Sequence, residues 1–101
     1  MTRQASRGIS APPEVVVDTA TDPARRDAWL PPGLDLGAVQ RRPDALAVHL
    51  VSGSADAGLL SVQEGAAGGS VVRLSLPDAG DAPEDVLNDL DRQVSDNFNA
   101  G

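Results

Sequence analysis

The sequence predicts an α+β domain in which an antiparallel sheet curves around one long C-terminal helix, with two short helices after the first strand. Three observations predict it. Residues 81–101 satisfy every local test for a helix. Residues 46–76 hold three alternating apolar runs separated by glycine-rich turns. Strands and helices are segregated along the chain, which places the helix on one face of a single sheet.

The chain in order justifies each element. Residues 2–10 alternate weakly at Ala5, Arg7 and Ile9 and are read as a first strand. Ala11-Pro12-Pro13-Glu14 breaks it, since proline cannot donate to a ladder. Val15, Val16 and Val17 favour a strand by propensity. The prolines before them and Glu14 in a first turn favour a short helix. Thr21-Asp22-Pro23 is a good helix start, and Pro31-Pro32-Gly33 stops that helix after about two turns. Residues 34–40 are a weak strand or a loop. Arg42-Pro43-Asp44 is a turn. Residues 46–51 form a clear strand, with Leu46, Val48 and Leu50 on one face. Residues 52–56 read as a loop, and 59–64 and 71–76 as two further strands. The glycines of 65–70 suit the hairpin loop between those two. In the last helix, Asp81 and Glu84 make a capping box and Pro83 sits in the first turn. Leu87, Leu90, Val94 and Phe98 then recur at helical spacing, widened by Val86, and Gly101 ends the helix.

Composition excludes several classes of function. The chain has 101 residues, which favours one domain over residues 1–101. Acidic residues outnumber basic ones 15 to 8, giving a net charge of −7. A nucleic-acid binder needs a basic face, and no basic run exceeds two residues, so no nucleic-acid partner is expected. Cysteine is absent, which excludes disulfides, thiol catalysis and thiolate metal sites. No apolar run approaches the ~18 residues of a membrane span, and the N-terminus has no apolar signal core. A cytoplasmic protein is expected. Every basic residue is Arg, a coding bias typical of high-GC, commonly bacterial, genomes. One Trp and one Phe are the only aromatics, so core and cavity alike rest on Leu and Val.

Three stretches together resemble the START-like (SRPBCC) superfamily of polyketide cyclase/dehydrase and lipid-transport proteins. They are residues 9–18, residues 20–31 with Thr21-Asp22-Pro23, the arginines and Trp29, and the terminal amphipathic helix. The resemblance spans the chain in order. It implies a helix-grip fold with a ligand cavity between the last helix and the sheet, and a helix over residues 13–20. The chain departs from that pattern in being shorter than typical members, with about one hairpin missing between residues 32 and 46.

The function implied is binding, transport or sequestration of a hydrophobic or amphipathic small molecule. Trp29, Leu60, Val62, Val72, Leu74, Leu87, Leu90, Val94 and Phe98 are the expected ligand-binding residues, and the same side chains would serve a plain core. The alternatives are a polyketide cyclase or dehydratase-like enzyme, or a protein-interaction module with a filled core. The chain could also form a homodimer along the sheet edge that the missing hairpin leaves open. The scarcity of His, Tyr and Cys argues against an enzyme, and no catalytic residue, metal or cofactor is assigned. His49, the single histidine, alternates with Val48 and Leu50 and is expected to face solvent. Arg73 is expected on the solvent face of its strand, and the acidic residues of the last helix on its polar side.

Overall fold

The structure, a computed structural model, describes residues 2–31, 33–77 and 82–100. The elements follow the order β1 (Thr2–Ile9), α1 (Pro13–Thr21), α2 (Arg26–Trp29), β2 (Asp35–Arg41), β3 (Ala45–Ser52), β4 (Ala55–Glu64), β5 (Ser70–Pro77) and α3 (Pro83–Ala100). A 3₁₀ turn at Ala66–Gly68 joins β4 to β5. The five strands form one antiparallel sheet in the order β1-β5-β4-β3-β2, and the sheet does not close. This is the α+β, helix-grip-like arrangement that the sequence predicts. The capping box at Asp81 and the helix end at Gly101 lie outside the described residues.

The sheet does not grip α3 alone. α3 packs on β1 and β5, while α1 packs on β3 and β4 and against α3, with α2 against both helices. The reason lies in the strand pattern. Val48 and Leu50, Leu60 and Val62, and Val72 and Leu74 all point to one face, and each is 0% exposed. That apolar face spans three strands, wider than one helix can cover at about 10 Å. α1 covers the rest with Val16, Val17 and Ala20, and α3 contributes Val86, Leu87, Leu90 and Val94. Helix wins over strand at the three valines because Pro12 precedes the helix and Pro13 opens it. The carbonyl of Pro12 accepts from the Val16 N–H at 3.2 Å.

Two segments differ from expectation. The helix expected to begin at Thr21 or Asp22 is a single turn, Arg26–Trp29. Thr21 is instead the last residue of α1, and Asp22 forms a turn after it. The Asp22 carboxylate accepts from the Ala24 N–H, and its carbonyl accepts from Arg25 and Arg26 N–H, all at 2.9 Å. The stretch 52–56 is not a loop. Only Gly53 and Ser54 turn the chain, and β4 begins at Ala55. Gly53 has φ +63°, as a two-residue hairpin requires, and a register shift between Leu50 and Val51 accommodates the extra residue. β2, by contrast, is a full strand, Asp35–Arg41, at the sheet's edge.

Polar contacts tie the helical layer together. Trp29 is 2% exposed, and its indole N–H donates to the Ala20 carbonyl at 3.2 Å. That carbonyl lies in the last turn of α1, where a helix leaves acceptors unused. The spacing from Thr21-Asp22-Pro23 to Trp29 thus lets α2 fold back and cap α1. Thr19 Oγ1 donates to Val15 O at 2.8 Å and accepts from Asn97 Nδ2 at 2.9 Å, linking α1 to α3. Among the described residues, every buried side-chain polar atom has a partner.

Candidate functional site

The nine expected ligand-binding residues divide unevenly. Leu60, Val62, Val72, Leu74, Leu90 and Val94 are 0% exposed, Leu87 is 1% and Trp29 is 2%. These eight lie in one hydrophobic cluster. Phe98 does not join them. It is 48% exposed, although it continues the same helical stripe. Helix and sheet side chains therefore pack on each other between α3 and the sheet, and the pockets described below open at other places.

The largest of these pockets is a groove of about 600 Å³ at one end of the molecule. Residues 8–12, residues 65–71 and Phe98 line it. Three separate elements meet there: the end of β1 with its link to α1, the 3₁₀ connection between β4 and β5, and the last turns of α3. The connection is tightly tied. Gly65 N–H donates to Gly69 O at 2.8 Å, and Gly69 N–H donates to Ala66 O at 3.0 Å. Ser70 Oγ, buried, donates to Ala11 O at 2.6 Å. Gly69 lies so close to β1 that an added Cβ would stand 2.9 Å from the Ile9 carbonyl oxygen. Ala67, on the rim, adopts φ +56°, a left-handed conformation uncommon outside glycine.

The lining is Gly, Ala, Ser, Pro, Ile and Val, with Phe98 as its one aromatic wall. Among the described residues, none with an ionisable side chain lines the groove. Such a surface favours apolar contact, and its polar groups are the backbone and the hydroxyls of Ser10 and Ser70. A volume of about 600 Å³ falls within the ~300–1,000 Å³ usual for small-molecule sites.

Two smaller pockets are polar. One, about 410 Å³, lies on the sheet face away from the helices, beside Gln4, Ser6 and Arg73. The other, about 250 Å³, sits beside Glu14, Arg42, Asp44 and Glu64. Arg73 is solvent-exposed, as its alternation predicts. His49 is half-buried and pairs with Leu59 on the outer face, opposite in sense to Val48 and Leu50. Among the described residues, no group of three or more His, Cys, Asp or Glu could hold a metal ion. Also among them, no helix is long and apolar enough to cross a membrane, which leaves β-barrels unaddressed.

Of the groove's residues, Phe98 was legible as part of the α3 stripe, while the two segments that meet it were visible in sequence mainly as punctuation. Ala11-Pro12 reads as a strand break and the glycines of 65–70 as a hairpin loop. Nothing local joins these two segments to each other or to Phe98.

No family model matches the sequence, and no curated protein matches it. Among solved structures, the chain is similar to protein CV1439 from Chromobacterium violaceum, with 18% identity over 95% of this chain and 96% of that one, at a TM-score of 0.51. It also aligns with the Aha1 dimer from Colwellia psychrerythraea, with 12% identity over 99% and 92% of the two chains, at a TM-score of 0.44. At these identities, the first likeness is one of fold alone, and the second is too distant to argue from.

Proposed function

We propose that this chain is a small START-like protein that binds a hydrophobic or amphipathic small molecule at the groove under Phe98. The single observation that carries this reading is an exposed aromatic residue over a groove of about 600 Å³ whose described lining is Gly, Ala, Ser, Pro, Ile and Val. A ring that is 48% exposed gains by covering its remaining surface, at about 25 cal/mol per Å² before association costs. The groove lies at the C-terminal end of α3, so an apolar tail seated in it would approach the helix–sheet seam from its end. Reaching Leu60, Leu87 or Leu90 would require α3 to lift from the sheet.

The test is an amide-resolved NMR titration with dodecanoate, a planar polyphenol and a neutral apolar dye. Saturable shifts at residues 8–12, 65–71 and near Phe98, abolished by Phe98→Ala, support the reading. Shifts centred on Leu60, Leu87 and Leu90 support instead the enclosed cavity of the START-like expectation. No saturable shift with any of the three probes overturns both.

A second reading, a protein-interaction module with a filled core, is favoured by the close packing of α3 on the sheet. It needs a surface, and β2 supplies a candidate.

A further inference from the structure

We infer that the open edge of the sheet at β2 is a homodimer interface, in which β2 of one copy pairs antiparallel with β2 of a second to make a continuous ten-stranded sheet. The inference gives the interaction reading its partner and is independent of the ligand reading.

β2 lies at the margin of the fold. Its seven residues are all exposed or half-buried. Side-chain ion pairs, Arg41 to Glu14 at 2.8 Å and Arg26 to Asp35 at 3.6 Å, tie it to the helical layer. Its helix-side residues remain incompletely covered. Val39 is 40% exposed, and Leu34 and Leu36 are only partly buried against the core. A sheet edge with apolar side chains on its inner side is a template for another strand.

The pattern of β2 is self-complementary. Leu36 pairs with Leu50 and Val39 with Val48, so both point to the helix side. Asp35 pairs with Val51 and Gln40 with Ala47, so both point outward. Between them Gly37 and Ala38 bulge opposite His49. An antiparallel two-fold between Gly37 and Ala38 sets Leu36 opposite the second copy's Val39, and Asp35 opposite its Gln40. Every helix-side residue then meets a helix-side residue, and the two bulges meet at the axis. A slip of one residue would place apolar side chains against outward ones.

Charge selects the same edge. The chain carries a net −7, so two copies repel unless their acidic surfaces stay apart. α3 has five carboxylates, Glu84, Asp85, Asp89, Asp91 and Asp96, and lies over β1 and β5; Arg7 pairs with Asp91 and Arg25 with Asp96, which leaves Glu84, Asp85 and Asp89 with Arg92 of the same helix. β2 stands three strands from β5, about 14 Å, beyond the ~8 Å Debye length at physiological salt. Around β2, Asp35 and Asp44 offset Arg41 and Arg42. The other edge is unsuited: β1 points Arg3 and Arg7 to the helix side, and pairing two copies about Ala5 would set these like charges opposite each other.

The test uses the full chain. Sedimentation equilibrium from about 10 μM to 1 mM covers the range of a small interface. The chain lacks cysteine, so single Asp35→Cys and Gln40→Cys variants report on register. Directly opposed residues stand about 4.5–5.5 Å apart, within disulfide reach. Mixed in equal amounts under mild oxidation, the two variants are expected to cross-link to each other, while neither cross-links to itself. Val39→Asp, at an exposed site, is expected to raise the dimer dissociation constant at least about tenfold with β3 and β4 amide protection unchanged. A monomer throughout the concentration range overturns the inference. So does a dimer in which Gln40→Cys alone cross-links as fast as the mixed pair, or one that Val39→Asp leaves intact.

Discussion

Gly58 is the position where one added methyl group should do the most damage outside the core. It lies in β4 opposite Leu50, beside the register shift that lengthens the β3–β4 hairpin. A Cβ built there stands 2.5 Å from the Ser75 carbonyl oxygen of β5, 3.1 Å from Leu76 Cδ2 and 3.4 Å from Leu50 Cδ1. The two leucine tips can rotate away, but the carbonyl belongs to the ladder and cannot. Relieving the contact to an ordinary ~3.2 Å requires β4 and β5 to part by about 0.7 Å, which breaks or stretches a ladder hydrogen bond worth about 1 kcal/mol. Overpacking adds about 1–3 kcal/mol. Gly58→Ala is therefore expected to cost about 2–4 kcal/mol. Gly58 also holds φ +159°, which L side chains rarely adopt, so Gly8→Ala is the control for both effects: it lies in β1 without such a φ and with nothing within 4 Å of the added Cβ. It should be neutral or stabilise by up to about 1 kcal/mol through the unfolded chain. Urea unfolding followed by Trp29 fluorescence gives both numbers as midpoint shifts at constant slope. If Gly58→Ala loses less than about 0.5 kcal/mol, or no more than Gly8→Ala, the close approach of β4 to β5 does not constrain the fold as argued.

Other predictions concern the helices and the groove. Leu90→Ala, at a side chain 0% exposed, should destabilise by about 2–5 kcal/mol in thermal or urea unfolding. Phe98→Ala, half exposed, should change stability by under about 1 kcal/mol while abolishing the NMR shifts described above. Trp29 should resist iodide quenching in the native state, and Trp29→Phe should cost about 1–2 kcal/mol because the Ala20 carbonyl loses its donor. Arg7 donates to Asp91 at 2.6 Å, but the two side chains are 44% and 21% exposed. A double-mutant cycle on that pair should return no more than about 1 kcal/mol, falling with added salt.

The groove and the β2 edge lie at different places for a common reason. The helical layer covers the centre of the sheet and stops short of two margins. At one, the sheet continues past α1 as β2, and Val39 is left half-covered. At the other, α3 ends beside the tip of the β4–β5 hairpin, and Phe98 is left half-covered. Both are unfinished burial of apolar surface, which makes them the natural places for a second molecule.

What could be read from the chain was whatever depends on neighbours in sequence. The 3.6-residue recurrence of Val86, Leu87, Leu90 and Val94 set the inner face of α3, and the alternation of Val48, Leu50, Leu60, Val62, Val72 and Leu74 set the inner face of the sheet. Pro12 and Pro13 turned three valines into helix, against their propensity. Local pattern misled where a residue's partner lay outside its own element. Thr21-Asp22-Pro23 reads as a helix start, but α1 packed against α3 runs through Thr21 and spends Asp22 on its exit. Ala55 and Asp56 look like loop because small and polar residues give no apolar alternation, and only pairing with Ser52 and Val51 of β3 makes them a strand. Phe98 sits on the same stripe as Val94, yet periodicity sets the direction of a side chain, not whether the sheet extends far enough to meet it. That depends on where β1 and the hairpin end in space. The groove, assembled from residues near positions 8, 65 and 98, exists through tertiary contact between segments that sequence spacing does not relate.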